Sequence, residues 1–163
     1  MKSTGEVMGI DKTFNGALAK ALIASGLALP PNGSILLSLA NRDKPDAKNL
    51  VTDLSKSGYE LYATDGTAKM VSSLGVPVKA IPKKLNEGHP NVVDIIVDGT
   101  VDAVVNTVTG DRSVLQDGFK IRRAAVDKRI PCFTSLDTAR AAAESLASGE
   151  EDYSVRPLNH YRV

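Results

Sequence analysis

The chain is poor in the residues that mark several large functional classes. It has no tryptophan, 4% aromatic residues, two histidines and one cysteine among 163 residues. So few aromatic side chains argue against a surface on which nucleic-acid bases stack. The single thiol, Cys132, excludes an internal disulfide and a metal site with several thiolate ligands, and it favours a reducing, cytoplasmic setting.

Strong charge and long apolar runs are also missing. The net charge is +1, so no overall field attracts nucleic acid or an anionic membrane. No apolar run approaches the roughly 20 residues of a membrane helix, and residues 1–6 lack the apolar segment of a signal peptide. A chain of 163 residues with 42% hydrophobic residues is long enough for one domain with a full core.

Short apolar runs alternate with amphipathic helical patterns along most of the chain. Ile35-Leu36-Leu37 is a continuous apolar run, typical of a strand buried on both faces. The predicted strands are 34–40, 59–63, 76–81, 101–106 and 131–135. The predicted helices are 13–26, 45–57, 66–74, 91–97, 117–129 and 136–148, with a loop at 107–116. This order predicts an α/β fold, a Rossmann-like three-layer sandwich whose five-stranded parallel sheet has helices on both faces.

One turn, at residues 62–68, joins a predicted strand to the start of a predicted helix. A helix N-terminus directs free backbone N–H groups and the positive end of the helix dipole at one spot. Gly66 has no Cβ to keep a ligand away, and the hydroxyls of Thr64 and Thr67 flank it. The turn therefore predicts a seat for a phosphate or carboxylate. The same residues also suit an ordinary helix cap, so this stretch alone leaves both interpretations open.

Polar residues also follow the other predicted strands. Ligands of parallel sheets bind beyond the carboxyl ends of the strands, near the point where the strand order reverses. The polar residues at these ends are Ser38, Thr64, Asn106, Thr107, Thr134 and Ser135. Lysines that could neutralise a phosphate there follow the first and third strands, at positions 44, 83 and 84. The sequence thus predicts an anion site at this edge, with solvated loop lysines as the alternative.

No catalytic pattern stands out. His89 and His160 are far apart in the sequence, and HExxH, GxSxG and Walker lysine patterns are absent. Cys132 lies in a predicted buried strand, which favours packing over nucleophilic chemistry. The spacing of the acidic residues singles out no pair for general acid–base work. We therefore expect neither catalytic residues nor a metal site in this chain.

Several short motifs follow one another in a fixed order through about residues 2–147. They are Lys2-Ser3-Thr4-Gly5-Glu6-Val7-Met8-Gly9, Asp43-Lys44, Ala63-Thr64-Asp65-Gly66-Thr67-Ala68, Lys84-Leu85-Asn86-Glu87-Gly88, Val105-Asn106-Thr107 and Ile121-Arg122-Arg123-Ala124-Ala125. Together they resemble the C-terminal allosteric domain of the large subunit of carbamoyl phosphate synthetase, which has the methylglyoxal-synthase-like fold. The resemblance implies a connector from a preceding catalytic half at 1–12, the allosteric domain at 13–149 and a C-terminal tail at 150–163.

The resemblance also implies a function. The chain would regulate an ATP-dependent, glutamine-hydrolysing ligase that makes carbamoyl phosphate for pyrimidine and arginine biosynthesis. It would bind UMP as inhibitor and IMP as activator, and it would contribute to an ornithine site at the boundary with the neighbouring catalytic half. The segment itself would be non-catalytic and without a cofactor, whereas the parent enzyme would use ATP with Mg or Mn. Its partners would be the catalytic halves, a glutaminase small subunit and further copies of the large subunit.

Carried over position by position, the resemblance assigns an effector pocket. Residues expected at the nucleotide phosphate are Lys44, Thr64, Gly66, Thr67 and Lys84. Residues expected to complete the pocket are Ser38, Asn106 and Thr107, with Asp117 and Ile121 near the sugar and base. Thr134 matches a position at the ornithine end.

Two departures from the family pattern leave some assignments open. The loop 81–88 is one residue longer than in some relatives, so Lys83 competes with Lys84; Lys84 is favoured because 84–88 reproduces the family motif. The loop after Asn106 is also one residue longer. A free-standing methylglyoxal synthase would need a Gly-Gly-Asp-Gln stretch where this chain has Glu87-Gly88-His89-Pro90-Asn91. Two further interpretations are an inosinate cyclohydrolase domain and a purely structural sheet domain.

Overall fold

A parallel sheet forms the centre of the protein. The computed structural model describes residues 6–83, 88–108, 112–147 and 155–161. The strands are β1 (Ser34–Ser38), β2 (Glu60–Thr64), β3 (Lys79–Ile81), β4 (Ala103–Asn106) and β5 (Cys132–Phe133). They pair in the order β3-β2-β1-β4-β5, and every pair is parallel. The predicted five-stranded parallel sheet is confirmed.

The helices that connect the strands begin and end at residues suited to these positions. They are α1 (Phe14–Ser25), α2 (Lys48–Lys56), α3 (Asp65–Ser73), α4 (Val92–Val97), α5 (Arg112–Lys128) and α6 (Leu136–Ala147). The side chain of Thr13 caps α1, and Gly26, in the left-handed region with φ 70°, ends it. Asn91 and Asp94 form a capping box at α4. Within the described ranges, no helix is both long and apolar enough to cross a lipid bilayer.

The core lies on both faces of the sheet. Side chains alternate along a strand, so Ile35 and Leu37 of β1 face one side and Leu36 faces the other. The first side packs against α1, α2, α3 and α6, and the second packs against α4 and α5. All three β1 side chains are at most 1% exposed. The structure is therefore the predicted three-layer α/β sandwich, organised around a central strand that is buried on both faces.

The main error in the predicted elements concerns the loop after β4. The sequence pattern predicts a loop over 107–116 and a helix from 117, but α5 already begins at Arg112. Gly118 does not interrupt this helix. It allows close packing instead, because a Cβ at Gly118 would lie only 2.6 Å from Cγ1 of Val108. Four of the strands are also shorter than predicted, since their flanking residues lie outside the paired ladder, whereas β2 keeps its length and is shifted by one residue.

The order of the strands places a switch point beside β1. The chain runs from β1 outward through β2 to β3, and it then returns to the opposite side of β1 for β4 and β5. Ser38 and Asn106, the last residues of β1 and β4, are direct partners in the ladder. Crevices of this kind, at the carboxyl edge of a parallel sheet, are where ligands bind.

Candidate functional site

Two threonine hydroxyls hold the chain where it leaves β1. The N–H of Leu39 donates to Oγ1 of Thr67 at 3.1 Å, and the N–H of Ala40 donates to Oγ1 of Thr107 at 2.9 Å. Both threonines are buried, with 1% and 6% of their surfaces exposed. One hydroxyl comes from the β2 side of β1 and the other from the β4 side. Together they fix the start of the loop that follows β1.

Lys44 lies further along that loop, against the start of α3. A short 3-10 helix, Asn41–Asp43, precedes it. Nζ of Lys44 donates to Oδ1 of Asn41 at 2.7 Å, which braces the ammonium. A Cβ placed on Gly66 would lie 3.0 Å from the same Nζ. The ammonium therefore sits directly beside the Gly66 backbone, at a place where a larger residue would crowd it.

The first turn of α3 keeps its backbone donors. Thr64 is the N-cap residue, yet its side chain makes no capping hydrogen bond within the described residues. Its hydroxyl lies 3.3 Å from Oγ1 of Thr67 instead. Asp65 and Gly66 are exposed. The first N–H groups of the helix and the positive end of its dipole thus meet the surface beside an ammonium, and this combination attracts anions.

The charge of Lys44 is poorly compensated. Burial lowers its pKa below the ordinary value of 10.5, because desolvation disfavours the ammonium. Among the described residues, the ion pairs closer than 4.0 Å do not include Lys44. A bound anion would place an opposite charge beside Lys44. Anion binding and protonation of Lys44 therefore favour each other.

Asn106 closes the edge on the other side of β1. Its side chain is 1% exposed and donates through Nδ2 to the carbonyl oxygen of Ser38 at 3.3 Å. Its Oδ1 accepts from Nη1 of Arg122 at 3.0 Å. The charge of Arg122 also reaches β5: burial raises the pKa of the Cys132 thiol, and this guanidinium opposes the rise. A cation thus lies beneath the β4 end of the edge.

The structure brings most of the predicted pocket residues to one edge. Ser38, Thr64 and Asn106 end three adjacent strands, and Thr107 follows directly. Asp117 is partly exposed and immediately precedes Gly118 of α5. The structure thus gathers these residues at the carboxyl edge of the sheet, and their binding of a ligand stays a prediction.

Two predicted pocket residues are placed differently or not at all. Ile121 is 0% exposed and packs with Leu36 in the core beneath the sheet, so its side chain offers no surface to a base. The expected contact of Ile121 with a ligand is thus replaced by packing of α5. Lys84 lies outside the described residues, whereas Lys83 is partly exposed. The choice between these two lysines stays a prediction.

A polar cavity of about 790 Å³ lies along the other half of the edge. Its charged lining residues are Arg42, Asp43, Asp46, Lys48, Asp137 and Arg140. Thr107 and Thr134 line it too, whereas Lys44, Gly66 and Thr67 do not. The predicted phosphate seat and the predicted ornithine end therefore lie in different places. Despite the carboxylates, the described ranges contain no group of three His, Cys, Asp or Glu residues placed to hold a metal ion.

Comparison with known proteins agrees with the fold just described. The model of the family described as "MGS-like domain" matches residues 46–134, from just before α2 to just after β5. The chain belongs to the MGS-like domain family. The match includes the α3 turn with Gly66 and the β4 end with Asn106.

Carbamoyl phosphate synthase large chains are similar to this MGS-like domain over nearly its full length. The large chain of Thermomicrobium roseum is 49% identical over 163 residues, which is 100% of this chain and 15% of the relative. That of Thermoanaerobacter sp. (strain X514) is 44% identical over 162 residues, 99% of this chain and 15% of the relative. The C-terminal section of the Methanopyrus kandleri large chain is 43% identical over 146 residues, 90% of this chain and 27% of the relative. The chain thus spans only 15% to 27% of the length of these relatives.

The sequence reasoning missed two side chains of the MGS-like domain site. Asn41 braces the ammonium of Lys44. Asn41 directly follows an apolar run and lies three residues before Lys44, and this spacing is the sequence signal that could have indicated the contact. The adjacent pair Arg122-Arg123 does not by itself indicate which of the two side chains faces the sheet. The spacing of Arg122 four residues after Gly118 places both on the same face of α5, toward β4.

Proposed function

We propose that this MGS-like domain binds the phosphate of a nucleoside monophosphate and thereby regulates a carbamoyl phosphate synthase large chain. The observation that carries the proposal is the Lys44 ammonium beside Gly66, at an α3 start whose N-cap side chain leaves the backbone donors open. Charge, dipole and several N–H donors converge there. A phosphate monoester, with its three terminal oxygens, uses such a set more fully than a carboxylate does. The expected effectors are UMP as inhibitor and IMP as activator.

The remainder of the nucleotide is proposed to lie across the sheet edge. Neighbouring strands are about 4.8 Å apart, so β2 and β4 are separated by about 10 Å. A phosphate, ribose and base together span such a distance. A nucleotide seated on α3 would therefore pass Ser38 and bring its base toward Asn106, Thr107 and Asp117.

The proposed setting is the parent ligase. In it, the catalytic halves of the large chain would use ATP with Mg or Mn, and a glutaminase small subunit would supply ammonia for carbamoyl phosphate. The product would serve pyrimidine and arginine biosynthesis in the cytoplasm, and copies of the large chain would associate with one another. The MGS-like domain itself is proposed to be non-catalytic, because it lacks the Gly-Gly-Asp-Gln stretch of a methylglyoxal synthase.

A second candidate function concerns the polar cavity. Its lining combines three cations with three carboxylates, and Arg42 and Arg140 each lie 3.3 Å from a neighbouring aspartate. Ornithine carries one carboxylate and two ammonium groups, so its charges suit a lining of both signs. We propose that Thr134, which lines this cavity, marks the ornithine end. The neighbouring catalytic half would complete that site.

We expect UMP to raise the melting temperature of the chain in low-phosphate buffer. A ligand that binds only the folded form adds about 2.7 kcal/mol at a hundredfold excess over its Kd, or roughly 5–10 °C for a chain of this size. Differential scanning fluorimetry measures the shift. Uridine, which has the same base and ribose without the phosphate, is the matched control and should give almost no shift. Equal shifts with UMP and uridine, or none with millimolar UMP, would contradict the proposed phosphate seat.

A further inference from the structure

The partly buried contact between Arg122 and Asn106 lies outside the phosphate seat. Nη1 of Arg122 donates to Oδ1 of Asn106 at 3.0 Å, and Nδ2 of Asn106 donates to the Ser38 carbonyl at 3.3 Å. Asn106 is 1% exposed, so few orientations are open to its carboxamide. These two bonds use the oxygen and one of the two hydrogens on Nδ2. Within the part of the chain that the structure describes, the second hydrogen has no acceptor and remains open to a ligand.

The chemistry of the guanidinium decides which way the carboxamide faces. Arginine donates hydrogen bonds and accepts none, whereas an asparagine side chain has one end that donates and one that accepts. The oxygen of Asn106 must therefore face Arg122, and the amino group must face β1. A flipped carboxamide would set an NH₂ group against a guanidinium and would place its oxygen against the Ser38 carbonyl. Both contacts would be repulsive.

Arg122 is itself held in place by the close approach of α5 to β4. A Cβ on Gly118 would lie 2.9 Å from Nη1 of Arg122 and 3.3 Å from Oδ1 of Asn106. The absence of a side chain at Gly118 thus leaves the space that the contact occupies. The neighbouring Arg123 faces solvent and pairs with Asp127 at 3.0 Å, so it cannot substitute for Arg122.

We propose that Arg122 is a positioning residue that fixes the carboxamide of Asn106 with its amino group toward the carboxyl edge. The edge then offers a hydrogen-bond donor to the bound molecule, which favours a base that presents a carbonyl oxygen or ring nitrogen. This inference rests on the proposed nucleotide site and adds a source of base recognition that is separate from the phosphate seat. Arg122 would act through Asn106 without touching the ligand.

A ligand-free experiment tests the positioning step. The side-chain NH₂ signals of Asn106 in a ¹⁵N spectrum are assigned by their loss in Asn106→Asp. In Arg122→Met, which keeps an apolar stem but no donor, we expect these protons to exchange with water about tenfold faster. Arg122→Lys keeps a charged donor, so it should retain more of the protection of these protons against exchange. This variant also tests the proposal if Arg122→Met does not fold. Unchanged signals in Arg122→Met and Arg122→Lys would overturn the proposal.

A double-mutant cycle tests the effect on recognition. Calorimetric titration compares UMP with ribose 5-phosphate, which carries the phosphate and sugar without the base. We expect Arg122→Met and Asn106→Ala each to weaken UMP binding about tenfold, with no further loss in the double variant. The affinity for ribose 5-phosphate should stay within about twofold. Additive losses, or equal losses for both ligands, would overturn the proposal. If the unmodified chain bound neither ligand, the nucleotide site itself would fail, and the exchange measurement would still decide what orients Asn106.

Discussion

We expect Thr67→Val to lower the free energy of unfolding by about 1–3 kcal/mol. Valine keeps the shape of threonine, but it leaves the buried N–H of Leu39 without its acceptor at 3.1 Å. It also removes the contact at 3.3 Å with Oγ1 of Thr64. Because the loop after β1 carries Lys44, we expect UMP affinity to fall as well. Urea unfolding and calorimetric titration measure the two effects.

Thr67→Ser is the matched control for this change. Serine retains the hydroxyl and should therefore retain most of the UMP affinity, with a smaller loss of stability from the missing methyl group. A Thr67→Val variant as stable as the unmodified chain would show that the Leu39 contact contributes nothing. A stable Thr67→Val that nevertheless bound no UMP would instead assign the hydroxyl to the ligand.

Lys44→Met should weaken UMP binding by roughly ten- to a hundredfold, the effect of removing a charged hydrogen bond worth about 1.5–3 kcal/mol. Methionine keeps an unbranched apolar stem beside Gly66 and removes the ammonium. Salt should weaken UMP binding to the unmodified chain more than binding to the variant, because the variant has one charge fewer to screen. Calorimetric titration at two salt concentrations measures both results.

The pH dependence supplies a second signature of Lys44. Its lowered pKa, below 10.5, means that the free site loses its positive charge at a lower pH than an exposed lysine does. UMP affinity should therefore be steady above neutral pH and then fall as the pH rises through that pKa. Lys44→Met should lack this alkaline decline. An identical decline in both proteins would assign the titration to another group.

Lys48→Met is the matched control for the loss of a lysine charge. Lys48 begins α2 and lines the polar cavity rather than the phosphate seat. Its removal should change UMP affinity by no more than about twofold at physiological salt, because Lys48 is exposed and salt screens the charge of an exposed side chain. If Lys48→Met weakened UMP binding more than Lys44→Met did, the phosphate would belong in the cavity.

The fold could be predicted because its signals are local. The apolar run Ile35-Leu36-Leu37 indicates a central strand, and the alternation of strands with helices implies a parallel sheet. Polar residues at strand ends could be assigned to one edge for the same reason, since every strand of such a sheet points the same way. The α3 turn was predicted from Gly66 and its flanking threonines. These parts depend on patterns within a few residues.

The rest depends on contacts that sequence spacing does not reveal. A hydroxyl at a strand end can bind a ligand or accept a hydrogen bond from a neighbouring backbone N–H. The sequence does not distinguish the two, so the hydrogen bonds from Leu39 to Thr67 and from Ala40 to Thr107 could not be predicted from it. The early start of α5 at Arg112 depends on tertiary packing, which the residue pattern of 107–116 does not show. The burial of Ile121 follows from how α5 packs against the sheet.

The most direct test of the phosphate seat is a crystal structure of the chain with UMP. We expect the phosphate oxygens about 3 Å from Nζ of Lys44 and from the backbone N–H groups at the start of α3. The base should then extend past Ser38 toward Asn106. A phosphate bound in the cavity between Arg42 and Arg140, with the α3 start empty, would contradict the proposed site.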